Sequence, residues 1–199
     1  KQIEILEGLV DSPRELYELS QLYTRTNKPL KAKETLQRAQ VLAPSSLLIQ
    51  LQLIKLDIQL NLFEEANAAL TAIEKTDSKN PNVLLVRGDL LLQQKQLALA
   101  SNKYAQALVL DNNFTQALAK LYQMTTLGFG QAAFENISTD ILAKNKNFHF
   151  MRNLLADHYL NTGNSTKAKS HYEILKEVSD LPSKALVLNN LANILLKED

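Results

Sequence analysis

An alanine that returns at a fixed interval is the feature that most constrains the fold of this chain. Ala32, Ala66 and Ala100 are evenly spaced, and Ala168 follows Ala100 after exactly twice the same interval. A repeat period of about 34 residues is typical of stacked helical hairpins, each of which buries its apolar face only against its neighbours. Such an array favours an extended binding surface, whereas an enzyme needs a site that encloses its substrate.

The composition and the spacing of apolar residues predict that this array is entirely helical. The 199 residues include only five glycines and five prolines, which leaves little of the turn chemistry that a β-rich chain needs. Apolar side chains recur at intervals of three and four residues, which places them on one face of a helix. Breaker segments such as 27–29, 43–45 and 80–81 separate these stretches. We therefore predict an all-α fold of about 12 helices.

The marker alanines also predict where each repeat begins. We start the repeat marked by Ala32 at Pro13 and every other repeat at the same offset from its marker position. Repeats placed in this way follow one another without a gap, so we predict a single array over residues 1–199. Residues 1–12 then end a preceding repeat, and residues 183–199 form the first helix of a further one. The full repeats between them are 13–46, 47–80, 81–114, 115–148 and 149–182. Because the chain begins at Lys1 rather than at a methionine, we expect it to be excised from a longer protein.

Several repeats carry the residues of a known family at matching positions. In the fifth repeat, Leu155 and Ala156 occupy positions 7 and 8, Tyr159 occupies position 11, and Ala168 occupies position 20. The third repeat keeps this pattern except for Leu91 at position 11, and the first repeat follows the whole pattern. It resembles the tetratricopeptide repeat (TPR) family, in which a large and a small residue stand at positions 7 and 8, Tyr at 11 and Ala at 20. The resemblance implies a right-handed superhelical solenoid of antiparallel helix pairs.

The fourth repeat departs from this pattern. Its three positions at which the pattern expects small residues hold bulky ones, namely Tyr122, Phe134 and Ile141. Because overpacking a helix contact costs roughly 1–3 kcal/mol, we predict either splayed helices or a one-residue shift that brings Ala133 to the contact. The Gly-Phe-Gly segment at 128–130 would absorb the change. Ordinary degeneration of the repeat, without a functional kink, is the alternative.

The sequence contains no arrangement of side chains that indicates catalysis or a cofactor. Its 22 basic and 21 acidic residues give a net charge of +1, so no large field of one sign attracts nucleic acid or an anionic membrane. Cysteine is absent, and His149, His158 and His171 lack the spacing of metal ligands. We expect these histidines on the surface or in a groove. We therefore predict no enzymatic activity, no cofactor, no metal, no nucleic-acid partner and no direct insertion into a membrane.

The TPR resemblance also implies which side chains meet a partner, because the first helix of each repeat lines the concave face in that family through positions 2, 5, 9 and 12. The candidate groove for a protein or peptide segment therefore consists of Tyr17, Gln21, Leu48, Leu51, Lys55, Ile58, Leu85, Asp89, Leu92 and Gln123. The same positions of the fifth repeat hold Phe150, Asn153, Asp157 and Leu160. The five aliphatic residues of the candidate groove predict an exposed apolar stripe, with Lys55 and Asp89 as polar contacts. The alternative is that the curvature of the array or neighbouring repeats cover this stripe.

Two functions are compatible with such a surface. The first is a scaffold that recruits a protein segment into the concave groove. The second is a structural spacer within a longer array, whose groove binds nothing by itself. Substitution of Leu51 and Leu85 by glutamate is expected to distinguish them, because it should abolish partner capture only in the first case.

Two narrower expectations concern the end of the chain. The segment 188–192, Leu-Asn-Asn-Leu-Ala, resembles bacterial TPR lipoproteins associated with exosortase and exopolysaccharide systems. That resemblance implies a lipid-anchored periplasmic protein in envelope export or polysaccharide assembly, with a cytoplasmic location as the alternative.

The last helix is expected to expose apolar surface and therefore to support end-to-end self-association. The apolar residues concerned are Leu188, Leu191, Ile194 and Leu195. A monomeric sedimentation profile at high concentration would refute this hypothesis.

Overall fold

A computed structural model describes residues 12–198, which form α-helices joined by short turns. The chain divides into two compact units, Lys1–Gln96 (unit 1) and Leu97–Asp199 (unit 2). Unit 1 contains α1 (Pro13–Arg25), α2 (Pro29–Leu42), α3 (Leu47–Gln59), α4 (Phe63–Asp77) and α5 (Pro81–Gln93). Unit 2 contains α6 (Leu97–Leu110), α7 (Thr115–Thr126), α8 (Gln131–Lys144), α9 (His149–Asn161), α10 (Ser165–Lys176) and α11 (Lys184–Glu198). The described part thus holds eleven helices, close to the predicted number, while residues 1–11 of the predicted preceding repeat lie outside it.

The first helix of each hairpin begins at the residue that the sequence predicts as the start of a repeat. Pro13, Leu47, Pro81, Thr115 and His149 are the first residues of α1, α3, α5, α7 and α9. Ser12 caps α1 through a capping box, in which its side chain accepts the backbone N–H of Glu15 and the Glu15 side chain accepts the N–H of Ser12. Asn80 caps α5 with its side chain. Proline then fits the first turn of both helices, because no N–H is needed there.

A residue in the left-handed conformation ends the first helix of most hairpins at the same repeat position. Asn27, Asn61 and Lys95 have φ of 56°, 60° and 61°, and they share the spacing of the marker alanines. Gly163, with φ of 81°, occupies the equivalent place in the fifth repeat. The residue after each one donates its backbone N–H to the carbonyl oxygen five residues earlier, at 2.8–2.9 Å. This is the Schellman geometry, which stops the helix and turns the chain back.

The turn of the fourth repeat is built differently because the equivalent position holds Phe129. Its left-handed residues are Gly128 and Gly130, with φ of 89° and 75°, and Phe129 itself donates the closing hydrogen bond, so α7 ends early. α7 and α8 also pack together less extensively than the helix pairs of the first and fifth repeats. Phe134 is fully buried and Ala133 is partly buried. Phe134 itself therefore takes the buried position that alanine has in the other repeats, and Ala133 does not replace it.

The core of unit 1 is continuous through α3. One buried cluster joins α1, α2 and α3 and includes Leu19 and Leu36. A second cluster joins α3, α4 and α5 and includes Leu70 and Val86. Because α3 contributes to both clusters, only two narrow sides of this helix are left to face solvent.

The last helix exposes less apolar surface than the sequence suggests. Leu191 and Ile194 are only 6% and 3% exposed, and α11 packs against α10. Leu188 and Leu195 remain 42% and 43% exposed. The expectation of an exposed apolar end is therefore wrong for two of its four residues, because the inner side of α11 is already covered within unit 2.

Candidate partner-binding surfaces

The structure buries much of the apolar stripe predicted on the first helices. Leu51, Ile58 and Leu85 are 5%, 6% and 3% exposed. Leu51 and Ile58 pack with Leu70 and Val83 in the second cluster of unit 1. The prediction of an exposed stripe is therefore wrong for these three residues, since their side chains are part of the interior and cannot meet a partner in the folded protein.

The other candidate residues of unit 1 remain accessible. Leu48 is 59% exposed near the start of α3. Five partly buried side chains accompany it on α1, α3 and α5, which are the first helices of the hairpins in unit 1. They are Tyr17, Gln21, Lys55, Asp89 and Leu92. We call these six residues the first-helix face. Gln123 is exposed on α7 and belongs to unit 2. The accessible surface is thus mixed in character, with one prominent aliphatic side chain among mainly polar ones.

The opposite side of α3 borders a cavity. Leu48 and Lys55 are seven residues apart and share one side of the helix, and Gln50, Leu53 and Asp57 lie about 140–200° around the axis from Leu48 at 100° per residue. On that second side, α2, α3 and α4 surround a cavity of about 490 Å³, here called the α2–α4 cavity. The two surfaces of unit 1 can therefore be altered independently.

A chain of polar side chains in unit 2 centres on Asp157. The Tyr172 hydroxyl donates to Asp157 Oδ1 at 2.5 Å, and the Asn190 amide donates to the Tyr172 oxygen at 3.1 Å. The Asn153 amide donates to Asp157 Oδ2 at 3.4 Å. Burial raises the pKa of Asp157, and the hydrogen bonds from Tyr172 and Asn190 oppose this rise. Burial and the neighbouring Asp157 also raise the pKa of Tyr172. This network ties α9, α10 and α11 together.

Asp157→Asn is expected to change how stability depends on pH. Because burial raises the pKa of Asp157 above its ordinary 3.8, the folded state binds a proton more readily than the unfolded state. The free energy of unfolding therefore falls as pH rises through the folded-state pKa. The amide of the variant can still accept the Tyr172 hydrogen bond but does not titrate, so this fall should disappear. Urea unfolding of both proteins from acidic to neutral pH measures the difference.

The control for this prediction is Asp140→Asn, which changes an exposed carboxylate on α8 of the same unit. The gap between wild type and Asp157→Asn should widen with pH in favour of the variant, whereas Asp140→Asn should follow the wild type. Parallel curves for wild type and Asp157→Asn would mean that burial of this carboxylate does not affect folding.

The histidines lie in α9 and α10, and one of them is deeply buried. His158 is 2% exposed, and its Nε2 lies 3.0 Å from a carboxylate oxygen of Glu135. The His158 ring lies edge-on to Phe134, with 5.3 Å between ring centroids. The expectation of a surface or groove histidine is therefore wrong for His158, which packs against the buried Phe134 ring of the fourth hairpin. In the part of the chain that the structure describes, no three His, Asp or Glu side chains are grouped to hold a metal ion.

Arg152 links the segment before α9 to α10. It is 7% exposed and donates to the Lys146 carbonyl oxygen at 2.8 Å, and its Nη1 lies 3.4 Å from His171 Nδ1. Burial, followed by the charges of Arg152 and Lys167, lowers the pKa of His171. These contacts join the loop and two helices, which gives this positively charged group a structural role.

The sequence and the helical architecture both resemble those of known repeat proteins. Residues 51–117 match the tetratricopeptide repeat family. The structure is similar to that of TTC0263, a TPR protein of Thermus thermophilus, with a TM-score of 0.58 and 16% identity over 93% of this chain and 100% of that one. The chain has the tetratricopeptide repeat fold. Proteins with the TPR fold typically serve as scaffolds for protein–protein interaction and generally are not catalysts.

Other proteins share the TPR fold with this chain at low sequence identity. Yeast Tom70 is similar with a TM-score of 0.73 and 15% identity over 94% of this chain, which spans 40% of the Tom70 chain. YrrB, described as a TPR protein with an unusual peptide-binding site, is similar with a TM-score of 0.53 and 15% identity over 88% of this chain and 89% of that one. No curated protein matches the sequence. Within residues 12–198, no helix has the length and apolar character needed to cross a bilayer.

Proposed function

We propose that this chain is a non-enzymatic scaffold whose first-helix face binds a segment of a partner protein. The exposure of Leu48 is the observation that carries the proposal. An aliphatic side chain that is 59% exposed stands on the central helix of unit 1, among side chains that are mainly polar. An apolar contact surrounded by polar groups is a common arrangement in interfaces between proteins. The peptide-binding site for which YrrB is described supports the use of this fold for such a role.

The chemistry of the face indicates what kind of segment it binds. An apolar side chain of the partner packs against Leu48, and an acidic side chain pairs with Lys55, seven residues further along the same side of α3. Tyr17 adds an aromatic surface with a polar hydroxyl, a combination that suits a partly hydrated interface. A short amphipathic segment meets these requirements better than a wholly apolar one.

Leu48→Glu is expected to remove partner capture while the protein stays folded. The substitution places a negative charge where an apolar contact forms, and it leaves the core intact because Leu48 is exposed. Leu51 and Leu85 cannot serve this purpose, since both are buried. In pull-downs from a lysate of the source organism, quantified by mass spectrometry, the specific partner should fall by about tenfold or more, equivalent to about 1.4 kcal/mol of binding free energy.

Val41→Glu is the matched control, because Val41 is 81% exposed at the end of α2 and lies outside the first-helix face. It should capture the partner as the wild type does. If Leu48→Glu and wild type capture the same proteins equally, or if neither captures a specific protein, the alternative function of a structural spacer within a longer array replaces this proposal.

We further propose that the partner belongs to envelope export or polysaccharide assembly in a bacterium, where the chain would be lipid-anchored and periplasmic. The resemblance of segment 188–192 to exosortase-associated TPR lipoproteins supports this setting. The identities of the captured proteins test it directly. Envelope components lost on Leu48→Glu support the setting, and cytoplasmic partners with the same behaviour contradict it while leaving the scaffold function in place.

A further inference from the structure

The α2–α4 cavity has the volume of a binding site and is half open to solvent. Its volume of about 490 Å³ falls within the roughly 300–1,000 Å³ that is usual for binding pockets. Its floor is aliphatic and consists of Leu53, Ile54 and Ile73. Ala69 and Ala72 form one wall on α4 and are exposed to solvent. The cavity is therefore an open trough between two second helices rather than an enclosed chamber.

The rim of the cavity carries side-chain amides. Gln37 and Gln40 from α2 and Gln50 from α3 line it. Gln50 donates to the Pro44 carbonyl oxygen at 2.7 Å, whereas Gln37 and Gln40 have no hydrogen-bond partner among the described residues. A glutamine amide offers both donors and an acceptor, so it can pair with the N–H and the C=O of a peptide group.

The charges at the cavity cancel each other. Lys33 Nζ lies 2.6 Å from Asp57 Oδ1, and the two side chains are 22% and 12% exposed. A charged ligand would have to compete with this pair and lose its own hydration, which is unfavourable when no unpaired opposite charge receives it. The lining therefore complements an uncharged ligand.

We propose that the α2–α4 cavity is a second docking site, which takes an extended, uncharged peptide segment with one aliphatic side chain on the Leu53–Ile54–Ile73 floor. A helical segment would not use the glutamine amides, because its main-chain groups are already bonded within the helix. An extended segment presents free main-chain groups and points alternate side chains in opposite directions. One side chain enters the trough while its neighbours face solvent. This site lies across α3 from the first-helix face, so it can be occupied independently.

A library of random linear heptapeptides, displayed on phage and panned against the whole chain, tests the proposal. The library is first depleted on Ala72→Trp, in which the indole fills the trough from its exposed wall. Uncharged peptides with a central Leu, Ile, Val or Met should then be enriched on the wild type. As synthetic peptides, they should bind Ala72→Trp with affinity lower by about tenfold or more. Gln40→Ala, which leaves the trough open, should weaken them to a lesser extent.

Two controls separate this site from the first-helix face. Ala143→Trp adds the same bulk at an exposed alanine on α8, and Leu48→Glu alters the opposite side of α3. Both should bind the selected peptides like the wild type. The proposal is overturned if no peptide is enriched, if enrichment requires a charged residue, or if Ala143→Trp weakens the peptides as much as Ala72→Trp. Peptides that are lost on Leu48→Glu would belong to the first-helix face and would also overturn it.

Discussion

Leu51→Glu is expected to destabilise unit 1 strongly, although the sequence pattern places Leu51 in a binding groove. The side chain is 5% exposed and packs with Ile54, Ile58 and Leu70. A carboxylate at this place would have neither water nor a partner charge, and an uncompensated buried charge costs about 3–5 kcal/mol. Since the total stability of a folded domain is of the order of 5–15 kcal/mol, the loss removes a large part of it.

Urea unfolding followed by circular dichroism measures this effect, with Leu48→Glu as the control on the same helix. Leu48 is 59% exposed, so its substitution should change the free energy of unfolding by no more than about 0.5 kcal/mol. Leu51→Ala, which adds no charge, should also lose roughly 2–5 kcal/mol from the cavity it leaves. Equal stability of Leu51→Glu and Leu48→Glu would mean that Leu51 faces solvent and that the groove predicted from the sequence exists.

The burial of Leu51 had a signal in the sequence. Residues 47–59 read Leu-Leu-Ile-Gln-Leu-Gln-Leu-Ile-Lys-Leu-Asp-Ile-Gln, with apolar residues on nearly every side of the helix. A helix of this kind is usually covered from more than one direction. The rule implied by the TPR resemblance assigns partner contact from the position within the repeat alone, and it does not account for how apolar the neighbouring helices are. The helix pattern was thus the better guide at this site.

The starts of the first helices were readable because they depend on local interactions. Capping residues such as Ser12 and Asn80, followed by proline, fix a helix start within a few residues of sequence. The turn position was also readable in principle, since Asn27 and Asn61 share the repeat period and asparagine tolerates the left-handed conformation. Lys95, which has no such preference, obscures the pattern.

The candidate sites were less readable because they depend on contacts between distant residues. The Asp157 network needs Tyr172 and Asn190, which lie on the next two helices of the chain. The α2–α4 cavity needs three helices at a particular separation, and no single helix shows a signal for it. A single sequence does not contain these distances, whereas the side-chain types on each helix are visible in it.

Gly130→Ala is expected to destabilise unit 2 for two separable reasons. Gly130 has φ of 75°, and a side chain in the left-handed region costs roughly 1–2 kcal/mol. An added Cβ would also overlap the Ser101 hydroxyl oxygen and approach Leu121 Cδ1 to 3.3 Å. Overpacking of this kind typically costs roughly 1–3 kcal/mol, so the sum is about 2–5 kcal/mol, measurable by urea unfolding.

A double-mutant cycle separates these two costs. Gly163→Ala supplies the backbone cost alone, because Gly163 has φ of 81° and its added Cβ would have no atom within 4 Å. Combining Gly130→Ala with Ser101→Ala removes the overlapping oxygen and leaves the Ser101 Cβ position at 3.4 Å, an ordinary contact. The double variant should therefore recover the part of the cost that comes from the Ser101 oxygen. It should retain at least the loss of Gly163→Ala, about 1–2 kcal/mol, because the approach to Leu121 Cδ1 at 3.3 Å remains. If Gly130→Ala alone loses no more than Gly163→Ala, either the Ser101 hydroxyl rotates away or α8 moves away from α6, and the close approach at Gly130 does not constrain the fourth hairpin.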